Sequence, residues 1–125
     1  TLLLLLSVAG VRVAQILGGS ARPSGFPSGV PHGSDRYWRL NRAHLNCVEN
    51  LPLFASVVLI GAVIGADAPQ LDRLALAYLA TRVAQSCIHI ASGSDFAVQM
   101  RFSCFGAQLV CLVWMLAITV PVGAL

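Results

Sequence analysis

Polar side chains recur at helical spacing between residues 42 and 52, a stretch that reads RAHLNCVENLP. Arg42, Asn46 and Glu49 lie at positions i, i+4 and i+7, so they share one face of a helix. The residues that follow are almost wholly apolar for long enough to cross a bilayer. Ionisable groups at the start of a membrane-spanning helix cost free energy and are often functional. The alternative is a polar turn in which these side chains bond to neighbours and only orient the helix.

Three other apolar stretches of the chain also carry polar side chains at helical spacing. The first stretch holds Arg12 and Gln15, three residues apart. Two longer sets follow: Tyr78, Arg82, Gln85 or Ser86, and His89 in one stretch, and Arg101, Cys104 or Phe105, and Gln108 in the next. Such sets indicate either a shared polar cavity or a polar seam between packed helices.

The composition predicts an integral membrane protein. Of the 125 residues, 57% are hydrophobic and 10% are charged, against about 25% charged residues in an average soluble domain. The net charge of +3 is too small and too dispersed to indicate nucleic-acid binding.

No residues have a convincing metal-ligand spacing, so we expect no metal site. We interpret the four cysteines as small apolar side chains within the spans: Cys47, Cys87, Cys104 and Cys111.

The apolar lengths and the turn residues predict an all-α membrane protein, a four-transmembrane-helix bundle that forms a single domain over residues 1–125. The spans are expected at about residues 1–18, 36–65, 69–92 and 95–120. The first apolar run resembles the core of a signal peptide, but no basic segment precedes it and Arg12 interrupts it, so we expect a retained span. Pro52 should kink the second helix. The Gly-, Ser- and Pro-rich loop at residues 19–35 is either mobile or folded over a site as a lid.

The distribution of arginines predicts the orientation. The first loop and its flanks hold Arg22, Arg36, Arg39 and Arg42, whereas the second loop is acidic. The first and third loops are therefore expected in the cytoplasm. With this topology all the polar sets lie in the cytoplasmic half of the bundle, which favours one shared site. The polar side chains of this site carry a net positive charge, and Glu49 is the single carboxylate among them. We therefore expect an anionic ligand that also carries an amine.

The stretch RAHLNCVENLP, followed by Arg82-Val-Ala-Gln and by Arg101, resembles the MAPEG family (membrane-associated proteins in eicosanoid and glutathione metabolism) over nearly the whole chain, as a bacterial-type member. The resemblance implies a homotrimer that binds glutathione between neighbouring subunits toward the cytoplasmic side. It implies that Arg101 stabilises the glutathione thiolate. The residues that it implies as glutathione ligands are Arg12, Arg42, Asn46, Glu49, Arg82, Gln85 and His89.

Some positions depart from the better-known members of that family. Leu45 stands where some members have another arginine, and Gln85 replaces a frequent histidine. The stretch at residues 89–101 is longer by about one turn than in prostaglandin-synthesising members. An eicosanoid-specific activity is therefore not expected.

The resemblance implies an enzyme of the bacterial inner membrane that uses glutathione as co-substrate. It would activate the glutathione thiolate for conjugation to lipophilic electrophiles or for reduction of lipophilic peroxides, in contact with membrane lipid. Two alternatives remain open. One is a non-catalytic small-molecule-binding or scaffold protein, in which the polar sets are interhelical seams. The other is a transport subunit, although the chain lacks the internal repeat and broken helices common in transporters.

Overall fold

The computed structural model describes residues 1–66 and 68–120, and these residues form four helices. The helices are α1 (Leu2–Leu17), α2 (Asp35–Ile64), α3 (Ala68–Ala91) and α4 (Asp95–Thr119). The described part of the chain contains no strand. The all-α fold class is therefore confirmed, and every helix boundary lies within one residue of its predicted position. Residue 67 and residues 121–125 of the predicted domain lie outside the described residues.

Three of the helices, α2, α3 and α4, are long and apolar enough to cross a membrane. Helix α1 is apolar but shorter than one bilayer core, because its 16 residues extend about 24 Å against a hydrocarbon core of about 30 Å. Large apolar side chains such as Leu59, Val63 and Val110 are exposed on the outside of the bundle. Lipid, and not water, suits such a surface, so the fold is that of a multi-pass membrane protein.

The helix ends follow local signals in the sequence. The Ser34 hydroxyl accepts a hydrogen bond from the backbone N–H of Tyr37 at 3.2 Å, and thereby caps the first turn of α2. Gly65, with φ of 66°, ends the same helix in the left-handed conformation that glycine adopts without strain. Helix α2 continues through Pro52 over its full 30 residues, so it is about 45 Å long and exceeds the thickness of one bilayer core.

Helix α2 is the central element of the bundle, because it packs against α1, α3 and α4. Within the described residues, α1 packs against α2 alone, and the most extensive packing is between α3 and α4. An apolar core of Val57, Leu71 and Met115 lies where the end of α2 meets the start of α3 and the end of α4. The opposite half of the bundle therefore holds the beginnings of α2 and α4 and the end of α3, which are the segments that carry the polar sets.

Candidate functional site

An open groove of about 600 Å³ lies in the polar half of the bundle, between the N-terminal parts of α2 and α4 and the C-terminal part of α3. This volume falls within the range of about 300–1,000 Å³ that is typical of small-molecule sites. The groove, here called the polar groove, is lined by Trp38, Arg42, Asn46, Glu49, Gln85, His89, Val98, Arg101, Phe102 and Phe105. It brings together all the site residues proposed from the sequence except Arg12 and Arg82.

The α2 wall of the polar groove carries Arg42, Asn46 and Glu49 at the helical spacing that singled them out. The side chains of Arg42 and Glu49 are exposed, and neither makes a hydrogen bond or an ion pair within the described part of the chain. They are therefore not bonded to neighbours to orient the helix, as the structural alternative would require. One free cation and one free carboxylate in the same groove suit a ligand that carries both charges.

Gln85 is the centre of a hydrogen-bond network at the base of the polar groove. Its Oε1 accepts hydrogen bonds from Arg82 Nη1 at 2.8 Å and from Gln108 Nε2 at 3.3 Å. Asn46 Nδ2 lies 3.5 Å from the same oxygen, and Gln85 Nε2 donates to the backbone carbonyl of Arg101 at 3.0 Å. The network therefore joins α2, α3 and α4 and fixes the orientation of the Gln85 amide.

Arg82 lies behind Gln85 and does not line the polar groove. Its side chain is 8% exposed, and besides Gln85 it donates from Nη2 to the hydroxyl of Tyr78 at 3.1 Å. The Tyr78 ring in turn stacks on Phe54, with the ring centroids 4.4 Å apart. The guanidinium is thus buried against neutral oxygen acceptors, which satisfy part of its hydrogen-bonding capacity. In this geometry Arg82 reaches the groove only through Gln85.

Arg12 lies at the same end of the bundle but outside the polar groove. Its Nε donates to the hydroxyl of Tyr37 at 2.6 Å, and its guanidinium stands over the Phe26 ring, 5.2 Å from the centroid. Phe26 belongs to the loop between α1 and α2, and the His32 ring of the same loop packs against Tyr37 at 5.4 Å. The loop is therefore folded onto the ends of α1 and α2, and none of its residues lines the groove.

Arg101 brings a second cation to the polar groove, on the α4 wall. Its side chain is half-buried and has no hydrogen-bond partner in the described part of the chain, since Gln85 contacts only its backbone carbonyl. Val98, Phe102 and Phe105 line the groove on the same helix. A positive charge next to apolar side chains, where water screens it less, favours the ionised form of a bound thiol or acid.

The aromatic and apolar side chains that line the groove are not among the site residues proposed from the sequence. Trp38 lies one turn before Arg42, and Phe105 lies one turn after Arg101, so each shares a face with a residue that spacing did identify. The spacing had already placed Phe105 on the face of Arg101, and the same rule applied one turn before Arg42 would have found Trp38. Within the described residues, no group of three His, Cys, Asp or Glu side chains is placed to hold a metal ion, and the four cysteines are free.

Comparison with known proteins identifies the family. The model of the MAPEG family matches residues 1–120, which is essentially the whole chain. No curated protein sequence and no solved structure gives a significant match. The match covers all four helices and every residue that lines the polar groove. The chain therefore belongs to the MAPEG family.

Proposed function

We propose that this protein is a membrane enzyme that binds glutathione in the polar groove and activates its thiol for attack on lipophilic electrophiles or peroxides. Membership of the MAPEG family supports a glutathione-related membrane function in general, although some members are non-catalytic. The observation that carries the proposal is the presence along one groove of three charges, Arg42, Glu49 and Arg101, that have no partner in the described part of the chain.

The chemistry of glutathione matches these side chains. Glutathione carries two carboxylates, one ammonium group and one thiol. The Arg42 guanidinium suits a carboxylate, which it binds through two parallel hydrogen bonds, and the Asn46 amide adds a further donor. The Glu49 carboxylate suits the ammonium group. Gln85 and His89 line the same groove and would bind the peptide part of the ligand, while Arg82 would act by holding Gln85 in place.

Arg101 is the residue that we assign to catalysis. A free thiol has a pKa of about 8.5, so it is mostly protonated at neutral pH, and the thiolate is the reactive form. A guanidinium beside the sulfur stabilises the thiolate and so increases its fraction. The thiolate sulfur then forms a bond to an electrophilic carbon whose leaving group departs, or attacks a peroxide oxygen as the O–O bond breaks. Phe102 and Phe105 would hold the apolar body of the substrate beside the sulfur, which supplies a proximity effect.

We propose, as the resemblance implies, that the functional unit is a homotrimer with glutathione bound between neighbouring copies. Within one copy Arg12 is bonded to Tyr37 and stands over Phe26, away from the polar groove. Arg12 therefore serves as a glutathione ligand in this proposal only when a second copy supplies it. The bacterial inner membrane remains the location that the resemblance implies, and the arginine distribution predicts that the first and third loops lie in the cytoplasm.

The proposal is tested by replacing Arg101 with Gln in the detergent-purified protein. We expect turnover with a chloronitrobenzene electrophile or a lipid hydroperoxide to fall about 10- to 100-fold, because a preorganised positive charge at the sulfur is lost. Glutathione binding, measured by isothermal titration calorimetry, should fall much less, and the ultraviolet absorbance of bound thiolate should disappear. Arg73→Gln, an exposed arginine of α3 outside the groove, is the matched control. Unchanged turnover in Arg101→Gln would contradict the assignment.

A second candidate function is a non-catalytic small-molecule-binding or scaffold protein. The network that joins Arg82, Gln85 and Gln108 favours it, because this interhelical seam forms without any ligand. The experiment above separates the two functions. A protein that binds glutathione but turns over neither electrophile nor peroxide belongs to this second class.

A further inference from the structure

A second crevice, of about 530 Å³, lies where the first turns of α2 meet the last turns of α3. It is lined by Arg36, Arg39, Cys87, Ile90 and Ala91, and is here called the arginine crevice. None of these residues lines the polar groove, whose α3 residues, Gln85 and His89, lie on the opposite face of that helix from Cys87 and Ala91. The crevice is therefore a separate feature that the proposed glutathione chemistry does not use.

The two arginines of the crevice have no counter-charge among the residues that the structure describes. Arg39 Nε donates to the backbone carbonyl of Ile90 at 3.2 Å, which holds the guanidinium against the end of α3 and leaves both Nη groups without a partner in the described residues. Arg36 makes no hydrogen bond or ion pair within the same residues. Asp35 and Asp95, at the same end of the bundle, form no ion pair with either arginine. Two unpaired like charges one turn apart on a helix repel each other, and a bound anion would relieve that repulsion.

The crevice lies at the expected depth of the lipid headgroups. Helix α2 is about 45 Å long, so its first turns extend beyond a hydrocarbon core of about 30 Å. Trp38 stands between the two arginines in the chain and is partly exposed, and tryptophan concentrates at the membrane interface. The N-terminus of α2 adds a partial positive charge of its own. We therefore expect the arginines at the level of the lipid phosphates.

An exposed apolar stripe on α3 runs from the crevice toward the middle of the membrane. Leu76, Leu79, Val83 and Cys87 recur at helical spacing, and all four side chains are exposed. From residue 76 to residue 90 the helix rises about 21 Å, which exceeds the depth of about 15 Å of one leaflet's hydrocarbon. The stripe is thus long enough to contact an acyl chain along the whole depth of one leaflet.

We propose that the arginine crevice binds the phosphate of an anionic phospholipid, with an acyl chain lying along the α3 stripe. Arg36 and Arg39 donate to the phosphate oxygens, for which the guanidinium fork is well suited. A lipid whose headgroup also carries a cationic choline binds less well, because the two arginines repel that cation. Free phosphate would contact the same two arginines but would lack the apolar contacts that an acyl chain makes with the α3 stripe.

The test follows the melting temperature of the detergent-purified protein during titration with phosphatidylglycerol, phosphatidylcholine or inorganic phosphate. Phosphatidylglycerol should raise the melting temperature saturably, phosphatidylcholine should do so only at higher concentration, and inorganic phosphate at matched concentration should have no effect. Arg36→Gln should weaken the phosphatidylglycerol affinity about fivefold, and Arg36→Gln/Arg39→Gln about 25-fold. The single variant removes no bond that Arg36 makes within residues 1–66 and 68–120, so it should fold like the original protein.

Arg22→Gln/Arg73→Gln is the matched control, because it removes the same two charges from exposed arginines outside the crevice. It should keep most of the phosphatidylglycerol affinity. Equal shifts with the two lipids, or an unchanged affinity in both crevice variants, would overturn the proposal. An equal shift with inorganic phosphate would overturn the lipid assignment. A change of oligomeric state in the crevice variants, measured by light scattering, with an unchanged lipid shift would instead identify the face as an interface between copies.

Discussion

The Gln85 side-chain amide contributes both to the stability of the bundle and to the shape of the polar groove. Its oxygen accepts from the buried guanidinium of Arg82, and its nitrogen holds the backbone of Arg101 on the neighbouring helix. A glutamine provides this acceptor and donor pair at every pH, whereas a histidine at this position would change its charge near neutrality. The groove of this protein should therefore keep its geometry over a wide pH range.

Replacing Gln85 with Leu should lower the free energy of unfolding by about 2–3 kcal/mol, because the Arg82 guanidinium then keeps only the Tyr78 hydroxyl as a partner. The measurement is thermal or denaturant unfolding in detergent. Gln99→Leu, at an exposed position of the same bundle, is the same chemical change outside the network and should alter stability little. If both variants were equally stable, Gln85 would not be the structural centre that the hydrogen bonds indicate.

Spacing along a helix predicted which polar residues share a face, but not which of them reach the groove. Arg42, Asn46 and Glu49 follow from i, i+4 and i+7 because their face of α2 borders the groove over that whole length. Arg82 and Gln85 satisfy the same rule on α3, yet only Gln85 lines the groove. That difference depends on how α3 packs against α4, a tertiary contact that periodicity within one helix does not contain.

At the scale of elements, Gly61 sets how closely α2 approaches its two neighbours. A Cβ at this position would lie 2.6 Å from Leu71 Cδ2 on α3 and 2.9 Å from Thr119 Cγ2 on α4. Both distances are shorter than carbon atoms tolerate, so alanine would require the Leu71 and Thr119 side chains, or the helices that carry them, to shift. Small residues at helix contacts are the usual means by which membrane helices pack closely.

Gly61→Ala should therefore destabilise the bundle by about 1–3 kcal/mol through overpacking. Gly106→Ala is the matched control, because a Cβ on that glycine of α4 would meet nothing within 4 Å. The control should be neutral or more stable by up to about 1 kcal/mol, since alanine favours the helix over glycine. Unfolding of both variants in detergent checks the prediction, and a Gly61→Ala protein as stable as its control would show that the helices do not meet closely there.

The helices could be predicted from local signals, whereas the first loop could not. Ser34 and Gly65 mark the ends of α2 in the sequence itself, so its boundaries follow from capping and glycine preference. The loop after α1 takes its shape from Phe26 and His32, which pack near Tyr37, and from Arg12 on the preceding helix. Those contacts join residues far apart in the sequence, and composition reveals only that the segment is a loop.

The whole molecule divides into an apolar half and a polar half. Val57, Leu71 and Met115 form the core of the first, and the second holds the polar groove, its hydrogen-bond network and the arginine crevice. This division follows from the sequence, because antiparallel helices bring the start of α2, the end of α3 and the start of α4 to one end. The oligomeric state does not follow from the sequence, because the pattern of residues within one chain does not determine how many copies assemble. The homotrimer therefore remains a proposal from the family resemblance.

Glutathione binding in the polar groove is the central claim, and a thermal-shift titration of the detergent-purified protein tests it most directly. We expect glutathione and an S-alkyl glutathione to raise the melting temperature saturably, by an amount that corresponds to about 2.7 kcal/mol at 100 times the dissociation constant. Glu49→Gln should weaken this effect, because the ammonium group loses its carboxylate, while Asp72→Asn, at an exposed position outside the groove, should not. No shift at millimolar glutathione, with a folded and oligomeric protein, would contradict the claim and favour the scaffold function.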